Sequence, residues 1–304
     1  MIFAFSEIDF LLMGLGYAGH TQRSINRTKY DRNVEYFEAK YYVCPKTCQD
    51  LFRDLQSTNI EGPNIGKPKP QHLLMALYYL KVYPTEKNFG GYFHVSEKTA
   101  KKWAIIYVQR IQALESLKIK WLWDEEGLVQ NQETFILSVD GIHCRICEPR
   151  TDPGAKWYSH KHNKAGFSYE IAIAIFHQQV CWVNGPFPCG TNDIGMYKKG
   201  LKHKIPAGKK LVADEGYTGE SEVITTRNAF DSTEVKRFKG RTKARHETFN
   251  GRLKRFNILE DRFRTMGPTT PEGPTREEKH RAVFIACVVL VQYQIDHGRP
   301  LFEV

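Results

Sequence analysis

Phe135-Ile136-Leu137-Ser138-Val139-Asp140-Gly141-Ile142-His143-Cys144 decides how the rest of the chain reads. Strand-favouring residues run up to an acid, Asp140, and a glycine follows it at once. A carboxylate in the middle of a buried strand is costly unless it is hydrogen-bonded or holds a cation. Two later acids stand in comparable settings. Asp214 lies near the end of KKLVADEGY, and Glu247 lies inside the basic segment KARHETFNGRLKRF.

Working outward from that stretch, Tyr169–Phe176 (YEIAIAIF) and Val180–Val183 read as two more strands joined by a short turn. Asp193–Lys204 reads as a helix capped by Asp193 and ended by Pro206. Lys210–Ala213 is a short buried strand, and Glu234–Phe238 is the candidate for a fifth. Thr242–Asn257 and Glu277–Ile295 complete the pattern as helices, with breaker-rich residues 267–274 between them. Strand, strand, strand, helix, strand, strand, helix is the order of an RNase H-like α/β domain, a mixed sheet with helices on its faces. In that layout the first strand is central and the fourth lies beside it. Asp140 and Asp214 then become neighbours, and the late helix can offer Glu247.

On the N-terminal side, residues 1–33 read as mixed and loose, and Val34–Leu55 as helical with a break at Pro45. Residues 62–70 have linker composition. Three helices follow: Gln71–Val82, a short one at Glu86–His94 carrying Gly90-Gly91, and one from Glu97 to Leu117 capped by Ser96. Basic residues Lys98, Lys101 and Lys102 near the start of the third fit helix-turn-helix logic, in which that helix enters the major groove. The plainer alternative is a helical lead-in to the second domain. The expected organisation is therefore an all-α region over 1–128, DNA-binding in about 71–117, and an RNase H-like domain over 129–304.

The chain has 304 residues and a formal charge of +10, which favours a polyanionic partner. Its seven scattered cysteines suit a reducing compartment. Glu7 and Asp9 interrupt the apolar start, so no secretory leader is expected. The longest apolar run, 282–291, is about half the roughly 20 residues of a spanning helix, and a membrane partner is not expected.

Three carboxylates drawn together repel, and each raises the others' pKa unless cations neutralise them. Hard oxygen ligands select Mg2+ or Mn2+, and two such ions about 3.5 to 4 Å apart can clamp a phosphodiester. Around Glu247, the bases Lys243, Arg245, Arg252, Lys254 and Arg255 make a place for a phosphate backbone; the bland alternative is that Glu247 is their solvated ion-pair partner. Lys156-Trp157-Tyr158-Ser159-His160-Lys161-His162 mixes bases and aromatics. Lys156 and Lys161 there are candidate DNA contacts, or the segment is a solvated hairpin. The basic run 236–243 is a further candidate tracking surface. A zinc site at His143, Cys144 and Cys147 is disfavoured, because cysteines three apart on a strand face opposite ways.

Ser138-Val139-Asp140-Gly141-Ile142-His143, Ala213-Asp214-Glu215-Gly216-Tyr217 and Arg245-His246-Glu247-Thr248-Phe249-Asn250-Gly251-Arg252-Leu253-Lys254 together resemble the three acidic blocks of the DDE superfamily, most closely PIF/Harbinger-type transposases. Related bacterial transposases carry Tyr-x2-Arg-x3-Glu-x6-Lys as the third block. Here Glu247-x6-Lys254 is kept, whereas Lys243 replaces the arginine and Gly240 the tyrosine. The resemblance covers about 130–265 and implies an RNase H-like fold, two divalent ions, and DNA strand cleavage and transfer. Its implied catalytic and metal-binding residues are Asp140, Asp214 and Glu247. Gly190-Thr191-Asn192-Asp193 resembles a further block, which makes Asp193 an alternative metal ligand or a residue behind the ligands. The implied partners are double-stranded DNA at transposon ends and target, a Myb-like accessory protein and further copies of the chain. The expected location is the nucleus in a eukaryotic host, and otherwise the cytoplasm. The rival expectation is a catalytically silent, transposase-derived DNA-binding protein, against which the intact acidic trio weighs.

Overall fold

The computed structural model describes residues 5–57, 68–123, 133–149, 154–159, 163–225, 230–264 and 272–304. The chain splits into two compact units: Met1–Glu115 with Arg255–Ile258 and Ala282–His297, and Ser116–Lys254 with Leu259–Arg281 and Gly298–Val304.

The first unit is helical. Its elements are α1 (Glu7–Tyr17), α2 (Gln22–Arg27), α3 (Tyr30–Tyr41), α4 (Pro45–Ser57), α5 (Pro70–Val82), α6 (Glu86–Phe93) and α7 (Glu97–Gln112). The expectation of a loose start is corrected by α1 and α2. Ser6 caps α1 in a reciprocal box with Asp9, and Thr21 caps α2, so the polar residues that made the segment look unstructured are the ones that start its helices. Pro45 sits at the first position of α4, where its missing N–H is harmless, and so separates α3 from α4. Most of the linker-like segment lies outside the described residues.

Helices α5, α6 and α7 lie close to where the three helices were expected, with a tight turn between α6 and α7. His94 leaves α6 in the left-handed conformation at φ 54°, and Ser96 caps α7 by accepting from the Thr99 amide. Gly90 is required at this turn: a side-chain carbon there would lie 2.8 Å from the Val95 carbonyl oxygen. The helix expected to run to Leu117 ends at Gln112, followed by a single turn, α8 (Glu115–Lys118). Rings close the interior, with Tyr78 stacked on Tyr92 at 4.0 Å. Late residues join this unit: the Gln294 amide donates to the Tyr42 carbonyl at 2.8 Å, and the Tyr42 ring meets Phe256 at 4.0 Å.

The second unit holds one mixed sheet. Its strands are β1 (Phe135–Arg145), β2 (Tyr158–Ser159), β3 (Lys164–Ala174), β4 (Val180–Pro188), β5 (Lys210–Ala213) and β6 (Val223–Thr225). The order is β2-β3-β1-β5-β6, with β4 also pairing with β3. Three long strands are antiparallel, and β5 and β6 add in parallel to the other edge of β1. This is the RNase H-like arrangement, with β1 central. β3 is buried without interruption from Gly166 to Ala174, which explains why it reads as an apolar run rather than an alternating one. Ile136, Leu137, Val139, Ala172, Leu211, Ala213, Tyr197 and Tyr217 form the core beside it. Each fully buried aliphatic side chain there contributes about 1.5 to 3 kcal/mol.

The remaining helices are α9 (Gly154–Trp157), α10 (Asp193–Lys198), α11 (Thr233–Leu253), α12 (Asn257–Glu260) and α13 (Arg276–Asp296). Two assignments are corrected here. The expected strand at Glu234–Phe238 is the opening of α11, because Ser232 caps a helix there and accepts from the Val235 amide. The fifth strand is instead Val223–Thr225, three half-buried residues too short to show a period. Helix α13 opens with the charged turn Arg276-Glu277-Glu278-Lys279 and is buried from Ala282 to Ile295.

Candidate active site

The parallel pairing of β1 with β5 sets the register of the site. Ser138 faces Val212 across the two strands. Two residues further along the chain stand Asp140, still within β1, and Asp214, just past the end of β5, so the two acids stand at the same level. Asp214 ends β5 and caps the one-turn helix Glu215–Tyr217, its Oδ1 accepting from the Gly216 amide at 2.9 Å. Asp140 Oδ1 accepts from the Gly141 amide at 2.9 Å, and its Oδ2 accepts from Asn250 Nδ2 at 2.9 Å.

Helix α11 supplies the third acid. It lies against β1, where Ser138 Oγ and His246 Nδ1 are 3.0 Å apart. Glu247 projects from the same helix and its side chain remains 61% exposed, with Lys243 Nζ 4.0 Å away. Asp140, Asp214 and Glu247 line one cleft of about 480 Å3, together with His143, Lys243, Asn250, Gly251, Lys254 and Glu260. The expected trio therefore shares a single cavity in one unit.

Asp193 has a different place from the one expected. The cap of α10 is Asn192, which accepts from the Gly195 amide at 3.0 Å, so Asp193 is not the capping residue. Its carboxylate lies instead against the glycines that follow the other two aspartates. A side-chain carbon at Gly141 would stand 3.0 Å from Asp193 Oδ1, and one at Gly216 would run into Asp193 Oδ2. Both positions are glycine because Asp193 occupies the space.

Beneath these acids lies a residue the sequence reading missed. Glu170 on β3 is fully buried; its Oε1 accepts from the Trp182 indole at 3.2 Å, and its Oε2 has no hydrogen-bond partner. Burial, with a smaller push from Asp193, raises its pKa from 4.5 to about 8, so it is neutral at pH 7. Nearby, burial and the charges of Glu170, Asp193, Asp140 and Asp214 hold the Tyr217 hydroxyl well above its ordinary range. Asn250 was also missed, although it stands three residues after Glu247, the interval at which helix side chains share a face. Glu170 carried the same signal as Asp140, an acid inside a strand-favouring run, and was passed over within YEIAIAIF.

The expected phosphate-binding bases divide. Lys243 and Lys254 line the cleft. Arg245 does not: it is 2% exposed, and its guanidinium donates to the carbonyls of Ala174 (2.7 Å), His177 (2.7 Å) and Phe302 (3.0 Å). Burial lowers its pKa to about 10, which leaves it charged and committed to holding α11 on the sheet. Arg252 likewise donates to the Arg299 and Pro300 carbonyls, at 2.6 and 3.0 Å. Within the basic run 236–243, Lys239 is buried and pairs with Asp231 at 2.6 Å. Arg255 is exposed and belongs to the helical unit. Lys156 is exposed above the Trp157 ring at 5.0 Å, and Lys161 lies outside the described residues. On α7, Lys98 is exposed, Lys101 pairs with Glu86, and Lys102 lies 5.6 Å over the Trp103 ring.

Among the described residues no three His, Cys, Asp or Glu side chains stand close enough together to form a ready ligand set. The acids around the cleft, Asp140, Asp214, Glu247 and Glu260, nonetheless offer hard oxygen donors. That set fits Mg2+ or Mn2+ rather than zinc. His143 Nδ1 is taken up within the wall by Ser168 Oγ at 3.0 Å and Cys189 Sγ at 3.3 Å.

A central strand carrying one acid midway, a parallel neighbour followed at once by a second and a helix carrying a third define an RNase H-like domain. A family model for the DDE superfamily endonuclease matches residues 139–292, and the chain belongs to that family. The match contains Asp140, Asp193, Asp214 and Glu247. No curated protein and no solved structure matches the chain. The family implies a DNA substrate, and its enzymes generally use divalent metals. Among the described residues no helix is long and apolar enough to cross a membrane.

The buried acid makes a prediction about pH. Glu170 has a folded pKa above its unfolded value of 4.5. Its contribution to stability is fully present below pH 4.5 and is lost as pH rises through about 8. The melting temperature of the wild type, followed between about pH 5 and about pH 8, should therefore fall relative to that of Glu170→Gln. A constant difference between the two proteins across that range would mean that Glu170 is ionised in the folded state.

Proposed function

We propose that this chain is a divalent-metal-dependent DNA endonuclease of PIF/Harbinger transposase type, which hydrolyses phosphodiesters and transfers DNA strands. The observation that carries the reading is the single cleft walled by Asp140, Asp214 and Glu247 and flanked by Lys243 and Lys254. A binding module gains nothing from acids facing a phosphate backbone, whereas a nuclease needs them.

In this reading Asp140, Asp214 and Glu247 hold two Mg2+ or Mn2+ ions, with Asp193 behind them. When bound, such ions polarise a phosphodiester and activate a water or a 3′-hydroxyl. The chain's own residues do the rest. Asn250 orients the Asp140 carboxylate, Gly141 and Gly216 let Asp193 approach, and Lys243 and Lys254 attract the phosphates. No side chain need become covalently attached to DNA. The α5–α7 segment grips duplex DNA through the start of α7. The reading also has the enzyme work as a homo-oligomer with a Myb-like DNA-binding partner, in the nucleus of a eukaryotic host.

Asp140→Asn, Asp214→Asn and Glu247→Gln should each abolish nicking of supercoiled DNA in Mg2+ or Mn2+ and leave duplex affinity essentially unchanged. Full activity in any one variant removes that residue from the trio. A wild type that binds duplex but never nicks it would favour the catalytically silent binding protein.

For the helical unit, Lys98→Ala should weaken duplex binding and reduce the slope of log affinity against log salt by about one. An unchanged slope would take the start of α7 out of the DNA interface. A substitution suits this test better than removal of residues 1–128, since the helical unit also contains 255–258 and 282–297.

A further inference from the structure

The cleft that holds the acids continues well past them. Every residue of β1 from Asp140 to Arg145 lines it, a run of about 16 Å for an extended strand. β5 pairs with β1 only as far as Ser138, and among the described residues no strand takes its place. That edge of β1 is met again only at Arg145, whose carbonyl accepts from the Phe263 amide at 2.9 Å. Successive side chains of a strand alternate between faces, so Asp140 and Arg145 project from opposite sides of β1, and the open edge lets one cleft reach both. Across the sheet from Arg145 stands Gly166 on β3, which adds no side chain, and Lys164 lies two residues beyond it. Arg145 and Lys164 are therefore diagonal neighbours on one face. Both line the cleft and are exposed, and among the described residues neither charged end has an ion-pair or hydrogen-bond partner. Arg245, Arg252 and Lys239, by contrast, are spent inside the fold. Like charges on neighbouring strands are destabilising unless an anion lies between them.

Resting on the reading of this cleft as a DNA-cleaving site, we propose that Arg145 and Lys164 form a phosphate-binding subsite at the end of the cleft away from Asp140, holding the DNA backbone a few nucleotides from the bond that is cut. The strand then lies between two basic banks, Lys243 and Lys254 on one side and Arg145 and Lys164 on the sheet. The guanidinium can fork across two phosphate oxygens, and the lysine adds a point charge beside it. Its main chain is already fixed: the Phe263 amide holds the Arg145 carbonyl, and the next amide, of Ile146, donates to the Ala165 carbonyl at 3.0 Å. Little ordering of the backbone therefore remains to be done when DNA arrives. The placement also suits the acids. A base set among Asp140, Asp214 and Glu247 would be neutralised by them and would compete with cations, whereas one beyond them attracts the backbone and leaves the carboxylates free.

The test uses the full chain and a fluorescent DNA duplex, with affinity read by anisotropy across a salt series and folding checked by circular dichroism. Arg145→Ala combined with Lys164→Ala should reduce the slope of log affinity against log salt by about two, and weaken binding roughly tenfold or more near about 0.1 M salt. Arg145→Lys combined with Lys164→Arg keeps both charges and should keep the slope. In Mg2+, the alanine pair should raise the KM for nicking about tenfold and change kcat by less than about threefold. An unchanged slope in a folded alanine pair would overturn the subsite whether or not the wild type nicks DNA. So would an equal loss of slope in the charge-conserving pair, which would make the two positions structural, or a fall in kcat at unchanged KM. A wild type that binds duplex but never nicks it, with the slope still reduced in the alanine pair, would overturn the cleavage reading and leave the subsite standing. A wild type that binds no DNA would overturn both.

Discussion

The hydrogen bond from Asn250 to Asp140 joins the two elements on which the site depends. A carboxylate on a central strand is stable only where its lost hydration is replaced. One oxygen of Asp140 is served by its own chain at Gly141, and the other by helix α11. The acid thus requires the helix to be docked, and the docking brings Glu247 to the same cleft. Arg245 reinforces it from inside, with its three carbonyl partners, as does His246 against Ser138. His246 is fully buried, and its pKa falls to about 3, so the contact is made by a neutral ring at ordinary pH.

Charge is layered around that joint. Glu170, deepest, is kept neutral by burial. Asp140, within β1, and Asp214, just past β5, are followed by Gly141 and Gly216, against which the Asp193 carboxylate lies. Lys243 and Lys254 stand at the cleft on α11 and at its end. An acidic floor with basic flanks attracts both small cations and a polyanion, and the net charge of +10 favours the second at longer range. The same arrangement accounts for how the bases divide. Lys243, beside Glu247, and Lys254 line the cleft, whereas Arg245 and Arg252 are spent on backbone carbonyls that fix the helix and the C-terminal residues.

Long elements were readable in the sequence because hydrophobic runs and caps act locally. The strands around Asp140, Tyr169, Val180 and Leu211 and the helices at 70–82, 86–93 and 97–112 all lie close to where period and capping residues put them. Val223–Thr225 was not readable, being too short to carry a period, and Glu234–Phe238 misled because Val and Phe favour strands even where a serine cap starts a helix. At the site, the acids stood out as charges next to glycine. The direction of a helix side chain was harder to see. Arg245 and Glu247 are two residues apart in a basic segment, yet one is buried under the helix and the other faces solvent. Asn250 was passed over because a neutral amide in a charged segment draws no attention until its partner is known.

The central claim is that Asp140, Asp214 and Glu247 serve one cation-binding centre, and Fe2+ can test it on the protein alone. Fe2+ occupies oxygen-rich sites in place of Mg2+, and with ascorbate and peroxide it cuts the backbone where it is bound. Mapping the cuts by mass spectrometry should give three clusters, near residues 140, 214 and 247, that fade together when Mg2+ is added. Cuts confined to one of these segments, or to surfaces away from all three, would contradict the account.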